Sequence, residues 1–431
     1  LEKSAHGIRC HAGSSLCPSS RLSSFLCRIR WQNEKASCPF PIQLNTHTNM
    51  KIAITDTDTL LSKGAAITLH QPLQSPLAEA EGQRVYPPTF IDEEAYFIDS
   101  LAGGETRCIL DTKQSQARRL AKKLIFINEA QPESERFLPD VTVSGAGSTK
   151  RIGEIGHRVS DAAVLLADGV NEHAVDAIKD YNKGDAGRLA TYFPESLLFG
   201  FWDSHSLGER AATNAKRSRI LHSEIHAYGA ALVHSKSMYI AAAPELVGEE
   251  QYNEDKGDEK LSQAGLANAP GKLSRDGIVA QRIARSAEIN LATLRQLTCK
   301  NEDGSVNAAK TSAMQSYLLH LAVLALTDPD TDELNLRSGA LLVQQAGASS
   351  IQALLRDGTK VDLEIPKNLL VAVLKAAKAW FAASTGSEAV PSLSGNISPK
   401  AVSDVRKNLS AKSKKPKGAK ASTEPAESSE E

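Results

Sequence analysis

Charge of one sign is the first thing this 431-residue chain lacks. Its 50 Lys and Arg stand against 51 Asp and Glu, a formal net charge of -1. The chain as a whole does not advertise nucleic acid, so any polyanion site has to come from local patches. Long apolar runs are missing too. The best, "LLHLAVLALT" at 318–327, falls short of the ~18 residues a membrane span needs. It contains His320 and reads as a buried helix, so no membrane partner is expected. Cysteine is scarce after the first 49 residues: Cys10, Cys17, Cys27 and Cys38 come early, then only Cys108 and Cys299. The large remainder reads as a reduced, cytoplasmic protein. No internal repeat is visible.

Residues 1–49 are Ser- and Arg-rich, acid-poor and without periodicity. A transit peptide and a Cys-rich metal module are weighed for them, but no C-x-x-C pair occurs. The preferred reading takes Met50 as the natural start and 1–49 as a non-native or disordered extension. From "MKIAITDTD" onward, alternation begins at once. Residues 50–395 have ordinary globular composition, with 41% hydrophobic and 23% charged residues over the whole chain. The stretch 396–431 is low in complexity, Lys-rich and then acidic, and reads as a disordered tail.

Several catalytic motifs are absent as well. Asp203, Ser204 and His205 are neighbours in sequence, whereas a triad is assembled in space. No G-x-S-x-G elbow accompanies them, so a strand end turning into a polar loop is the reading adopted. "GAGSTK" (145–150) lacks the spacing of a Walker loop, and "HSEIH" (222–226) is not H-E-x-x-H.

What is present is mixed patterning. Ile52 and Ile54, "TRCILD" (106–111) and "DVTVSG" (140–145) alternate as strands. Asp111 with Gln114 has capping-box spacing ahead of a helix. In that helix Ala117, Leu120, Ala121 and Leu124 mark a buried face, with Arg118–Lys122 and Arg119–Lys123 elsewhere on its surface. Residues 62–105 look irregular. "LLFGFW" (197–202) alternates as a strand, "RILHSEIHAYGAALVHS" is extended, and 247–277 forms an acidic insertion. Helices are expected around 311–326 and 366–384. Between them Asp357-Gly358 suits a type I′ hairpin turn. The class is α+β, with one main sheet and helices largely on one side.

Cations cluster in three places: "AKRSR" (215–219) beside Phe201 and Trp202, the 114–123 helix, and Arg282, Arg285 and Arg295. A groove for a single strand needs cations for phosphates and flat surfaces for bases. Composition does not choose between such a groove and solvated faces.

The order of several blocks is more specific. "QSQARRLAKKL", "GHRVSDA", "ESLLFGFWDS" followed by "AKRSRILHSEIHAYG", then "GLANAP", "GIVAQRIARSAEINLATLRQL" and "LNLRSGALLV" are in question. They resemble, in that order, the blocks of the CRISPR-associated backbone subunit of type I-U (I-G) interference complexes, over about residues 50–390. "HSLGERAATN" departs from that pattern as an insertion, and "SRDG" lacks a glycine usual before the "IVAxRI" block. The resemblance implies an α+β fold with a modified ferredoxin-like, RNA-recognition-motif-like palm carrying helical and hairpin additions. It implies a cytoplasmic subunit without catalysis or cofactor. Such subunits polymerise along CRISPR guide RNA and form the spine of a Cascade complex in antiviral defence. Implied partners are the guide RNA, target DNA through the guide, copies of the chain itself and other Cascade subunits. In this light Lys216, Arg217 and Arg219 lead as RNA-binding residues, with Trp202 and Ser223 beside them. Arg118, Arg119, Lys122, Arg158, Arg282, Arg285 and Arg295 follow. The alternative is an RNA-processing endoribonuclease of similar fold, needing a general base such as His157 or His205 near the scissile 2′-OH.

Overall fold

The computed structural model describes residues 51–79, 82–89, 96–202, 216–239, 269–327, 334–347 and 349–413. Strand β1 (Lys51–Ala53), helix α1 (Thr57–Lys63) and strand β2 (Gly64–Gln74) come first. Strands β3 (Ala78–Glu79), β4 (Gly82–Val85), β5 (Ile98–Ser100) and β6 (Thr106–Asp111) lead to helix α2 (Lys113–Glu129). The hairpin β7 (Asp140–Gly145) and β8 (Ser148–Arg151) precedes helices α3 (Ala162–Leu165), α4 (Asn171–Asn182), α5 (Gly187–Tyr192) and α6 (Pro194–Phe199). Then come β9 (Phe201–Trp202), β10 (Lys216–Arg217), β11 (Leu221–Tyr228), β12 (Ala231–Tyr239), β13 (Ala269–Ala280) and β14 (Arg282–Asn290). The last part holds α7 (Leu291–Arg295), α8 (Ala308–Thr327), β15 (Val343–Gln344), β16 (Ser350–Leu355), β17 (Lys360–Glu364), α9 (Leu369–Thr385), β18 (Ser392–Asn396) and α10 (Pro399–Ser413).

The main sheet runs β1-β17-β16-β2-β14-β11-β6-β5, with β15 also on β2. Its pairings are antiparallel except β1 with β17, at the edge. Cross-strand register puts Leu221, Ser223, Ile225 and Ala227 of β11 opposite Ile289, Ala287, Arg285 and Ile283 of β14. All eight are buried. They face the side where α2 packs on β11 and α7 on β2. The other face carries His222, Glu224, His226 and Tyr228 against Glu288, Ser286, Ala284 and Arg282, of which only His226 and Ala284 are buried. Helix α8 is buried on every side from Tyr317 to Leu326, as expected of a core helix. Trp380 and Phe381 of α9 join the same core. No helix among the described residues is long and apolar enough to cross a membrane.

The α+β class with helices on one face agrees with the sequence reading, but several local expectations do not. "LLFGFW" is not a strand: α6 carries it to Phe199, and only Phe201–Trp202 is extended. Pro194 opens that helix at its first turn, where a missing N–H costs nothing. Asp111 does not cap α2. Thr112 does, its hydroxyl accepting from Ser115 N at 3.3 Å. Asp111 turns inward and accepts from Gln116 Nε2 at 2.7 Å and Arg119 Nε at 3.0 Å. In the 350–364 hairpin only Gly358 is left-handed, at φ 87°, so the turn is not type I′. The "GAGSTK" segment has that turn instead, with Ala146 at φ 50° and Gly147 at φ 78° between β7 and β8.

Residues 62–105, expected to be irregular, hold the 11-residue β2 at the sheet's centre. Pro72 concealed it, since proline cannot donate to a ladder. It is tolerated because the residue's polar groups face a gap. On that side β16 pairs only as far as His70 and β15 starts at Leu73. There the Pro72 carbonyl accepts from Gln345 N at 3.0 Å. Of the expected acidic insertion, 269–277 form the first part of β13. Its acidic residues Glu249 to Glu259 lie outside the described residues. The expected disordered tail begins at the end of β18, and α10 occupies its first part. Residues 414–431 and 1–49 lie outside the described residues.

Candidate nucleic-acid interface

The joint between α6 and β9 sets the geometry. Gly200 ends the helix at φ 77°, where a Cβ would meet Arg217 O at 2.9 Å and Arg219 Cγ at 3.0 Å. A side chain there would force β10 away. With glycine, β10 pairs with β9, Lys216 opposite Trp202 and Arg217 opposite Phe201. Each cation then meets an aromatic ring. Lys216 Nζ lies 5.8 Å from the Trp202 centroid, Arg217 Cζ 5.8 Å from that of Tyr181, and Arg158 Cζ 5.1 Å from that of Phe199. Such contacts add a modest attraction, stronger as water is excluded. Tyr181 and Phe199 were missed in the sequence, because their partners are brought to them by chain folding.

The cations differ in how far the protein already uses them. Arg217 donates to Tyr181 Oη at 3.1 Å and Thr293 O at 3.0 Å. Arg219 donates to Phe199 O at 3.0 Å. Arg158 is buried, has φ 52° and donates to Gly200 O at 3.1 Å. Burial lowers its guanidinium to about 10; Glu195 opposes the shift, and nearby Arg219 and Arg118 add to it. Those two cations therefore belong to the same positive region as Arg158. Lys216, Trp202, Arg118 and Lys122 are exposed. Arg118 and Lys122 have no hydrogen bond or ion pair among the described residues.

The remaining candidates do not join this surface. Ser223 is buried and donates to Gln116 Oε1 at 2.8 Å. Arg285, with no exposure at all, donates to Ser223 Oγ at 3.0 Å and Gln71 Oε1 at 3.3 Å. In this conformation neither can reach a strand from outside. Arg119 is committed to Asp111 and to Leu336 O at 2.7 Å. Arg282 stacks on Tyr228 at 3.8 Å and pairs with Glu105 at 3.0 Å, at the far end of β11. Arg295 donates to Leu61 O at 3.0 Å and to Gly64 O at 2.6 Å. Lys123, expected on the surface, is buried.

His157 is exposed, and its backbone N–H donates to Asp161 Oδ2 at 3.1 Å. Asp203, Ser204 and His205 lie outside the described residues. His222 and His226 are on strand β11, not on a helix. A rise of about 3.3 Å per residue separates them by about 13 Å, too far to share one ion. No group of three or more metal-ligating side chains occurs among the described residues.

These features define an α+β protein with a local cation–aromatic surface beside its main sheet. Residues 72–232 match the family model described as CRISPR-associated protein GSU0053. That segment runs from β2 into β12. No curated protein matches the chain. Among solved structures, a chain titled "CRISPR RNA-guided surveillance complex, pre-nicking" is similar at a TM-score of 0.32 and 14% identity, over 67% of this chain and 75% of that one. A likeness of that extent defines neither fold nor role.

Proposed function

We propose that this chain is a non-catalytic backbone subunit of a type I CRISPR surveillance complex, of the I-U (I-G) kind, which holds guide RNA by its sugar-phosphate backbone. The observation that carries the reading is the position of the matched segment. Residues 72–232 contain the whole cation–aromatic surface: Arg118, Lys122, Trp202, Lys216 and Arg219, with the buried Arg158 beneath it. Cations on phosphates position a strand without reading its bases, which suits guides of any sequence. In this reading the antiparallel strands β2, β14, β11 and β6, with α2 against them, serve as a much-modified ferredoxin-like palm. Copies of the chain succeed one another along the guide, other subunits complete the complex, and target DNA is met through the guide. A near-neutral net charge favours such stacking, since uniformly cationic copies would repel.

The test is incubation of the purified full chain with two repeat-containing RNAs of unrelated guide sequence. Similar affinity for both, with the RNA intact on a denaturing gel, is expected. Cleavage that disappears in His157→Ala would replace this reading with an endoribonuclease.

A further inference from the structure

We propose that the solvent-facing stripe of α2 formed by Arg118, Lys122 and Phe126 is a track for single-stranded RNA, with the two cations on neighbouring phosphates and Phe126 stacked on a base. The inference rests on the RNA-binding reading above and adds a base-contacting residue to it.

Three observations converge on the stripe. First, Phe126 is 63% exposed, more than any other large apolar side chain among the described residues. Helix α2 buries Ala117, Leu120, Ala121, Leu124, Ile125 and Ile127 on its other side. Amphipathic patterning would put a polar residue at position 126, so packing does not explain the ring.

Second, the stripe is regular. Positions 118, 122 and 126 follow one another at four-residue steps, which on a helix places them along one face about 6 Å apart. The cations at two of them have no hydrogen bond or ion pair among the described residues. They are the charges on this helix left to meet a polyanion. Glu129, which falls on the same side, is neutralised by Arg151 at 2.7 Å.

Third, the stripe leads into the surface already described. Arg118 lies near enough to Arg158 to disfavour its charge, and Arg219 acts on the same guanidinium. A strand crossing Arg219 and Arg118 would therefore continue over Lys122 towards Phe126. Cations beside an exposed ring match the needs of single-strand binding, phosphate neutralisation and a flat face for a base. A protein partner would use the ring but would not call for two unpaired cations in line with it.

The experiment measures anisotropy of a labelled single-stranded RNA with the full chain, as wild type, Phe126→Ala, Phe126→Trp and Arg118→Ala/Lys122→Ala, across a salt series. Phe126→Ala is expected to weaken binding about 5- to 150-fold without altering the salt slope. Phe126→Trp should restore affinity, and RNA should quench the added indole. The double cation variant should flatten the slope by about 1.4. If the wild type binds RNA and Phe126→Ala binds equally well, the track is wrong while the RNA-binding reading stands. If Phe126→Ala keeps its RNA affinity but loses self-association, the ring is a protein contact and the proposal falls. If the wild type binds no RNA, both readings fall together.

Discussion

Arg285 Nε donates to Ser223 Oγ across 3.0 Å in the middle of the main sheet. The bond is one link in a buried chain. Asp111 accepts from Gln116, Gln116 accepts from Ser223, and Arg285 continues through Gln71 to Gln344. The chain ties α2, β6, β11, β14, β2 and β15 together. Satisfied buried networks rigidify a core, and breaking one strands the groups that remain. Ser223→Ala should therefore cost about 1–3 kcal/mol in a denaturant melt. It should leave the salt slope of RNA binding unchanged. A flattened slope at unchanged stability would return Ser223 to the RNA surface.

The cations near β10 should separate by what they already hold. Lys216→Ala should flatten the salt slope of RNA binding by about 0.7, as loss of one phosphate contact requires. Arg217→Ala should chiefly lower the melting temperature, because its guanidinium joins Tyr181 to Thr293. Equal slopes for wild type and Lys216→Ala would move the groove away from β10.

Glu195 gives a pH dependence of defined sign. Burial raises its carboxyl above the ordinary range, although its own backbone hydrogen bond, Arg158 and Arg151 oppose the shift. Its Oε2 has no hydrogen-bond partner among the described residues. A folded-state pKa above the unfolded one means that the native state binds more protons between the two values. Stability from this group should fall as pH rises from about 4.3 through the folded value and then level off. Glu195→Gln should abolish that component, so its melting temperature should exceed that of the wild type at neutral pH and converge with it in acid. Parallel curves across pH would refute the assignment.

Cys108 and Cys299 are both buried, and burial pushes their thiols up to about 12. The thiolate is the reactive form. A thiol reagent at pH 8 should leave both unlabelled in the native protein and label both after unfolding. Peptide mass spectrometry reads the outcome, and native labelling at either site would contradict the packing described.

What was legible in the sequence was local. β6 followed by α2, β7, the β16–β17 hairpin, α8 and α9 announce themselves by local pattern within a dozen residues or so, and 219–235 reads as extended without a division into β11 and β12. What was not legible depends on distant partners. Ser223 and Arg285 look like surface residues in a basic stretch until Gln116 and Gln71 arrive, 107 and 214 residues away in sequence. Asp111 has capping spacing, but Arg119 and Gln116 draw its carboxylate inward. "LLFGFW" alternates like a strand, yet Pro194 and Gly200 bound a helix over most of it. Phe126 lay in a helix whose buried face was read correctly, while the ring's place on the opposite side was not.

The order in which the chain is made gives Pro72 a second meaning. β2 pairs with β14 on one side and, apart from two residues on β15, with β16 on the other, so its long second partner starts only at Ser350. At about 5–20 residues per second, synthesis from Gln74 to Ser350 lasts on the order of tens of seconds. Throughout that interval one long edge of β2 stands open to strands of other nascent chains. Pro72 turns its ring to that same edge and withholds a donor from any intruder. In the finished sheet it stands at a gap in the pairing; during translation it is expected to act as a guard. Pro72→Thr should then leave the melting temperature of the folded protein nearly unchanged, while more of the newly made protein is lost to the insoluble fraction.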